Sequence, residues 1–96
     1  MLKVSVIIPA RNESARIAQA ILRARIAGAD QVIVCDGEST DETVEIAKTL
    51  PCELVFSPRG RGRQQNRAAF AAEGDCLLFL HADTWLPEGG IRQIRS

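Results

Sequence analysis

At 96 residues, with 46% apolar and 25% charged side chains, the chain suffices for one small domain and is too apolar for intrinsic disorder. Lys plus Arg (12) balances Asp plus Glu (12), and a formal net charge of +0 excludes a uniformly basic nucleic-acid binder and an acidic solvated tail. No apolar run approaches the roughly 20 residues of a membrane span, and the opening residues lack the layout of a secretory signal.

Val4-Ser5-Val6-Ile7-Ile8 is predicted to be a strand rich in branched residues. Asn12 is the expected N-cap of a helix on which Ile17, Ala18, Ile21, Leu22 and Ala24 recur at helical spacing, and Gly28 supplies its stop. Gln31-Val32-Ile33-Val34-Cys35 is the second strand. Ser39-Thr40-Asp41-Glu42 fits a capping box, with Ser39 as cap and Glu42 three residues on. Val44, Ala47 and Leu50 follow on one helical face, and Pro51 ends it. Glu53-Leu54-Val55-Phe56 is shorter and more polar, as an edge strand is. An Ala-rich helix carrying Phe70 is predicted from about Arg63 to Glu73, closed by Gly74. Cys76-Leu77-Leu78-Phe79-Leu80 is the fourth strand, and a further helix is expected near Pro87, with Ile91 and Ile94 as its apolar face.

Strand and helix alternate, which predicts an α/β fold with βαβ units and right-handed crossovers. Runs one, two and four are nearly continuous rather than alternating, the pattern of strands covered on both faces. The expected architecture is an open, mainly parallel sheet of about four strands with helices on both faces, a Rossmann-like arrangement. Cys35, Cys52 and Cys76 are widely spaced and odd in number. They read as core filler rather than a disulfide framework, and a cytoplasmic setting, or the inner face of a membrane, is expected.

Polar residues follow each strand at once. Pro9-Ala10-Arg11-Asn12-Glu13 follows the first, Asp36-Gly37-Glu38-Ser39 the second, Ser57-Pro58-Arg59-Gly60-Arg61-Gly62 the third, and His81-Ala82-Asp83-Thr84 the fourth. In a parallel sheet all four gather at the carboxyl ends of the strands, where open α/β sheets bind ligands. Guanidinium groups (Arg11, Arg59, Arg61, Arg63) and helix N-termini suit phosphate oxygens, and carboxylates (Glu13, Asp36, Asp83) suit a hard divalent cation bridging to them. A nucleoside diphosphate with a metal is the expected ligand. The first strand-to-helix turn has no glycines, so it is not a dinucleotide fingerprint, and no Gly-Lys-Ser/Thr phosphate loop is present. Taken singly, these residues have blander readings. Glu13 fits a first-turn acid, Asp36 a turn, and Arg59 to Arg63 a solvated loop or an RNA-contacting segment. His81 fits a satisfied strand-end histidine, Asp83 an N-cap, and Trp85 packing.

Four motifs in order carry a resemblance: Val6-Ile7-Ile8-Pro9-Ala10-Arg11-Asn12-Glu13; Val34-Cys35-Asp36-Gly37-Glu38-Ser39-Thr40-Asp41-Glu42-Thr43; Gly60-Arg61-Gly62 with Asn66; and Leu78-Phe79-Leu80-His81-Ala82-Asp83-Thr84. Over nearly its whole length the chain resembles the nucleotide-sugar half of family 2 glycosyltransferases, which have the GT-A fold. The resemblance implies that residues 1–96 bind the donor and that the acceptor half is absent. It implies an inverting transfer from a nucleoside diphosphate sugar to an acceptor hydroxyl; the balanced charge and the 4% aromatic content independently argue against a nucleic-acid partner. Pro9, Arg11 and Glu13 would line the base and ribose pocket, Asp36 would bond the nucleoside, and Gly37 would allow close backbone approach. Ser39, Asp41 and Thr43 would cap and brace the second helix. Arg59, Gly62, Arg63 and Asn66 would face the nucleotide or diphosphate. His81 and Ala82 would stand beside Asp83, the acid that holds a divalent metal, Mn or Mg. His81 replaces the first acid of the family's Asp-x-Asp motif, and histidine is the poorer partner for magnesium. The base that deprotonates the acceptor is expected beyond residue 96. A non-catalytic nucleotide-binding or assembly module is the alternative, since a sheet ending at its fourth strand leaves an apolar edge open to a second copy.

Overall fold

A computed structural model of the chain describes residues 2–82. The expected helix near Pro87, together with Asp83 and Trp85, lies outside them. The elements are β1 (Val4–Ala10), α1 (Ile17–Ala27), β2 (Gln31–Asp36), α2 (Thr43–Ala47), β3 (Glu53–Phe56), α3 (Arg61–Ala71) and β4 (Cys76–Phe79). They form a four-stranded sheet in the order β3-β2-β1-β4. Every pair is parallel, with Ala10 opposite Asp36, Asp36 opposite Phe56, and Ile7 opposite Phe79.

Side-chain alternation along the strands divides the core in two. Val4, Val6, Ile8, Val32 and Val34 pack with Ile17, Ala20, Ile21 and Ala24 of α1 and with Ala47 of α2. Ile7, Ile33 and Cys35 pack on the opposite face against Ala68 of α3. Helices on both faces are therefore present, and β1 and β2 are buried almost throughout, which explains their continuous apolar runs. As expected, β3 is an edge strand. The fourth run is not covered on both faces, as its continuous apolar pattern predicts. Among the described residues β4 is the other edge, and its residues alternate between half-buried and exposed. On the α3 face, Leu77 and Phe79 stand beyond the helix, 38% and 40% exposed.

Two helix starts also differ from expectation. The N-cap of α1 is Arg16 and that of α2 is Glu42, neither with a side-chain cap bond. Asn12 and Ser39 are used elsewhere, as described below. The stop of α1 is as predicted, with Gly28 at φ 110° and its N–H bonded to the carbonyls of Ala24 and Arg25. α3 begins at Arg61 and ends at Ala71, about two residues earlier than expected at each end. All three thiols are free; Cys35 is buried, and burial pushes the Cys35 and Cys52 thiols up. No helix among the described residues is long and apolar enough to cross a membrane.

Candidate functional site

Parallel pairing brings the ends of the four strands to one edge of the sheet. The loops after β1 and β2 lie side by side and are locked by side chains of one bonding backbone of the other. The Asn12 N–H donates to Ser39 Oγ (2.9 Å), the Glu13 N–H to Thr43 Oγ1 (2.9 Å) and the Ser14 N–H to Asp41 Oδ2 (3.2 Å). In return Asn12 Oδ1 accepts the N–H groups of Thr40 (2.7 Å) and Asp41 (3.3 Å). Asn12 (φ 56°) and Glu38 (φ 65°) are left-handed non-glycine residues, one in each loop. Such strain persists only where its surroundings hold it. The bracing expected of Asp41 and Thr43 is present, and the Thr43 hydroxyl donates to Asp41 Oδ1. Bonds from Thr43 and Ser14, the Thr43 hydroxyl foremost, hold the Asp41 carboxyl at about 2. Ser39 and Asn12 serve this lock rather than capping helices; their short oxygen-bearing side chains suit both tasks equally.

A cleft of about 400 Å³ opens at this edge, lined by Pro9, Ala10, Arg11, Glu13, Arg16, Gln64, His81 and Ala82. Five of these, Pro9, Arg11, Glu13, His81 and Ala82, were expected from sequence. His81 and Ala82 arrive because β4 runs alongside β1, with the Leu80 N–H bonded to the Ile7 carbonyl (2.9 Å). Arg16 and Gln64 were not expected. Arg16 pairs loosely with Glu13 at 3.9 Å. Gln64 is 6% exposed, and its Nε2 donates to the carbonyls of Ala10 (3.0 Å) and Cys35 (2.9 Å). No local pattern marks a glutamine whose partners lie 54 and 29 residues away in the chain.

Asp36 ends β2 opposite Ala10 and is 3% exposed. Its Oδ2 accepts the Ser39 N–H (3.0 Å), whereas its Oδ1 is buried without a partner among the described residues. A buried carboxyl oxygen left unbonded costs about 1–3 kcal/mol, so a ligand donor reaching it is favoured. Beside it, a Cβ on Gly37 would lie 2.6 Å from Gln64 Cδ. A side chain at position 37 would thus displace the Gln64 amide, a reason for glycine distinct from close approach to a ligand.

The arginine stretch sits one element further out. The Arg59 N–H reaches Glu38 Oε1 (3.3 Å), and Gly60, at φ 133°, turns the chain into α3. Arg59, Gly62 and Arg63 are exposed near the edge and do not line the cleft. Asn66 lies on the outer side of α3, with Ala69 and Phe70, away from the cleft. Asp83 is outside the described residues. Among the described residues no group of three His, Cys, Asp or Glu side chains could hold a metal ion. An ion shared with a diphosphate needs only one or two protein carboxylates. The cleft itself offers Glu13 and His81.

Similarity to known proteins agrees with this geometry. An uncharacterized glycosyltransferase of Rickettsia prowazekii is 43% identical over 89 residues, covering 92% of this chain and 30% of that protein. Glucosyl-3-phosphoglycerate synthase of Petrotoga mobilis is 27% identical over 84% of this chain and 30% of its own length. The chain thus spans about a third of the length of these relatives. Among solved structures, glucosyl-3-phosphoglycerate synthase of Mycobacterium tuberculosis in complex with Mn2+, UDP-glucose and phosphoglyceric acid superposes with a TM-score of 0.79 at 28% identity, over 92% of this chain and 36% of that one. The same enzyme with Mg2+ and UDP gives 0.75 at 27% identity, with the same coverage. These neighbours are GT-A glycosyltransferases, and the parallel sheet described above has their architecture. The glycosyl transferase family 2 pattern matches residues 5–94, and the chain belongs to that family.

Proposed function

We propose that residues 1–96 form the donor-binding part of an inverting glycosyltransferase that uses a nucleoside diphosphate sugar. The observation that carries this reading is the cleft at the strand ends, where Arg11, Glu13 and His81 converge beside a buried Asp36 whose Oδ1 lacks a partner. It is supported by the M. tuberculosis synthase, which superposes on this chain while holding UDP-glucose.

In this reading Asp36 Oδ1 accepts a nucleoside N–H or O–H, and Pro9, Arg11, Glu13 and Gly37 shape the base and ribose pocket. His81 and Ala82 close it from the β4 side. Arg59, Arg63, Gly62 and Asn66 belong to the segment offered to the diphosphate, with the guanidinium groups supplying bidentate donors. Asn66 enters only if the nucleotide extends around α3. Asp83 is the proposed ligand of a divalent ion, Mn2+ or Mg2+, which when bound offsets charge on the leaving diphosphate. In the transfer the acceptor oxygen bonds to the anomeric carbon from the face opposite the diphosphate. The carbon–oxygen bond to the diphosphate breaks, and the bonding pair leaves with it. The acceptor proton passes to a base expected beyond residue 96. Free thiols fit a reducing, cytoplasmic setting.

Calorimetric titration with UDP and with GDP, each with and without Mn2+, tests the reading. Metal-dependent binding of one nucleotide, lost in Asp83→Ala, is expected. No heat with either nucleotide contradicts it. A non-catalytic assembly module is the second reading, favoured by Leu77 and Phe79, 38% and 40% exposed on β4, an edge strand among the described residues. Concentration-dependent dimerisation in ultracentrifugation, weakened by Phe79→Asp, would support it.

A further inference from the structure

We propose that Gln64 is a positioning residue for the nucleotide cleft. It fixes the carboxyl ends of β1 and β2 to α3, and position 37 is glycine to admit it. This rests on the nucleotide-binding reading above.

A primary amide has two N–H donors, and both of those on Gln64 Nε2 are used on backbone carbonyls of adjacent strands, Ala10 of β1 and Cys35 of β2. These carbonyls stand where the two strands end and the chain turns away into separate loops. The Ala10 carbonyl also accepts the Gly37 N–H (2.9 Å), so two bonds on one oxygen join three segments. Asp36 lies between the two anchored residues. Cys35 before it is held by Gln64, Gly37 after it is held by Ala10, and its own carbonyl accepts the Ser57 N–H (3.0 Å). A buried carboxyl oxygen without a partner keeps its place only if its backbone is prevented from turning it to water. The bonds around Asp36 do this, and Gln64 supplies the one from a helix.

Gly37 is the counterpart of this brace. An added Cβ would lie 2.6 Å from Gln64 Cδ and 2.8 Å from both Nε2 and Oε1, so the amide occupies the space that any other residue would fill. The brace also reaches the arginine segment. The Gln64 N–H bonds the Gly60 carbonyl in the first turn of α3 (2.9 Å), so the side chain that grips the strand ends sits on the turn carrying Arg63. Gln64 itself lines the cleft. Cleft floor and basic segment are thereby held in one geometry by one side chain.

Calorimetry with UDP and Mn2+ on the whole chain, well below its melting temperature, separates positioning from mere folding. Gln64→Met keeps the length and loses both donors; it is expected to stay folded and to bind UDP about tenfold more weakly. Gln64→Glu sets carboxylate oxygens against two carbonyl oxygens and is expected to bind more weakly still. Gly37→Ala, which displaces the amide without removing it, is expected to weaken UDP binding as well, and it supplies the reading if Gln64→Met does not fold. In the Gln64→Ala background, Gly37→Ala is expected to cost little more, because the methyl enters vacated space. Undiminished UDP binding by folded Gln64→Met, or additive losses for Gly37→Ala and Gln64→Ala, would overturn the proposal and leave the nucleotide reading standing. A wild-type chain that binds neither UDP nor GDP would overturn both.

Discussion

The two ends of the sheet each carry a cleft of about 400 Å³, and they differ in what their polar groups are doing. At the amino end, Ser5 is fully buried; its Oγ donates to Gln31 Oε1 (2.6 Å) and accepts the Gly74 N–H (2.8 Å). Gln31 Nε2 donates to Glu53 Oε1 (2.9 Å) and to the Ala71 carbonyl (3.2 Å), and Asp30 Oδ2 accepts the Val4 N–H (2.7 Å). At the carboxyl end, Asp36 Oδ1 is buried without a partner among the described residues, two non-glycine residues sit at positive φ, and four charged or titratable side chains, Arg11, Glu13, Arg16 and His81, line the cleft. The amino end engages its polar groups in internal bonds, and the carboxyl end leaves some unbonded among the described residues. Equal volume does not make equal sites; unspent bonding capacity distinguishes them.

This contrast can be broken at either end. The largest expected effect is at Gly74, where a Cβ would lie 2.5 Å from Ser5 Oγ and 2.8 Å from the Lys3 carbonyl and the Ser5 nitrogen. Backbone atoms cannot swing aside, so Gly74→Ala should destabilise by about 3 kcal/mol in denaturant unfolding. Ser5→Ala strips Gln31 and Gly74 of a buried partner and should cost about 2 kcal/mol. In both variants the folded protein should retain UDP affinity, and a selective loss of affinity would dissolve the division between the ends. Asn12→Ala removes the acceptor for two loop N–H groups and the side chain best suited to φ 56°. A loss of about 1 kcal/mol is expected, and here UDP binding should weaken too. The smallest effect concerns pH. The Asp41 carboxyl is held at about 2 against a usual 3.8, chiefly by the Thr43 hydroxyl. A depressed carboxyl stabilises the fold above its unfolded value and loses that contribution as pH falls from about 4 to about 2. Thermal midpoints should therefore drop further across this window in the wild type than in Asp41→Asn; parallel curves would contradict the assignment.

The strands were legible in the sequence because burial on both faces leaves continuous apolar runs, as in Val4 to Ile8 and Val32 to Cys35. From parallel strands the location of the candidate site at their carboxyl ends follows directly. Less was legible where one residue type serves two tasks. Asn12 and Ser39 carry the chemistry of N-caps, yet they lock one loop to the other, and a sequence does not distinguish a partner three residues away from one 27 residues away. Helix phase was also hidden. With α3 beginning at Arg61, Gln64 and Ala68 turn inward, while Asn66 and Phe70, the latter 89% exposed, turn outward. An Ala-rich helix has too little hydrophobic contrast to fix that phase. The run at Cys76 to Phe79 reads as covered on both faces although its residues alternate between half-buried and exposed, since composition reports apolarity and not what covers it.

Asp36→Asn addresses the division between the two ends most directly, with thermal unfolding and UDP titration made on the same sample. Asparagine keeps an acceptor for the Ser39 N–H and removes the unpartnered carboxyl oxygen. The expected result is a melting temperature equal to or above that of the wild type, with UDP binding reduced at least about tenfold. A lower melting temperature with unchanged UDP affinity would show that Asp36 is a structural residue and that the carboxyl end holds nothing in reserve.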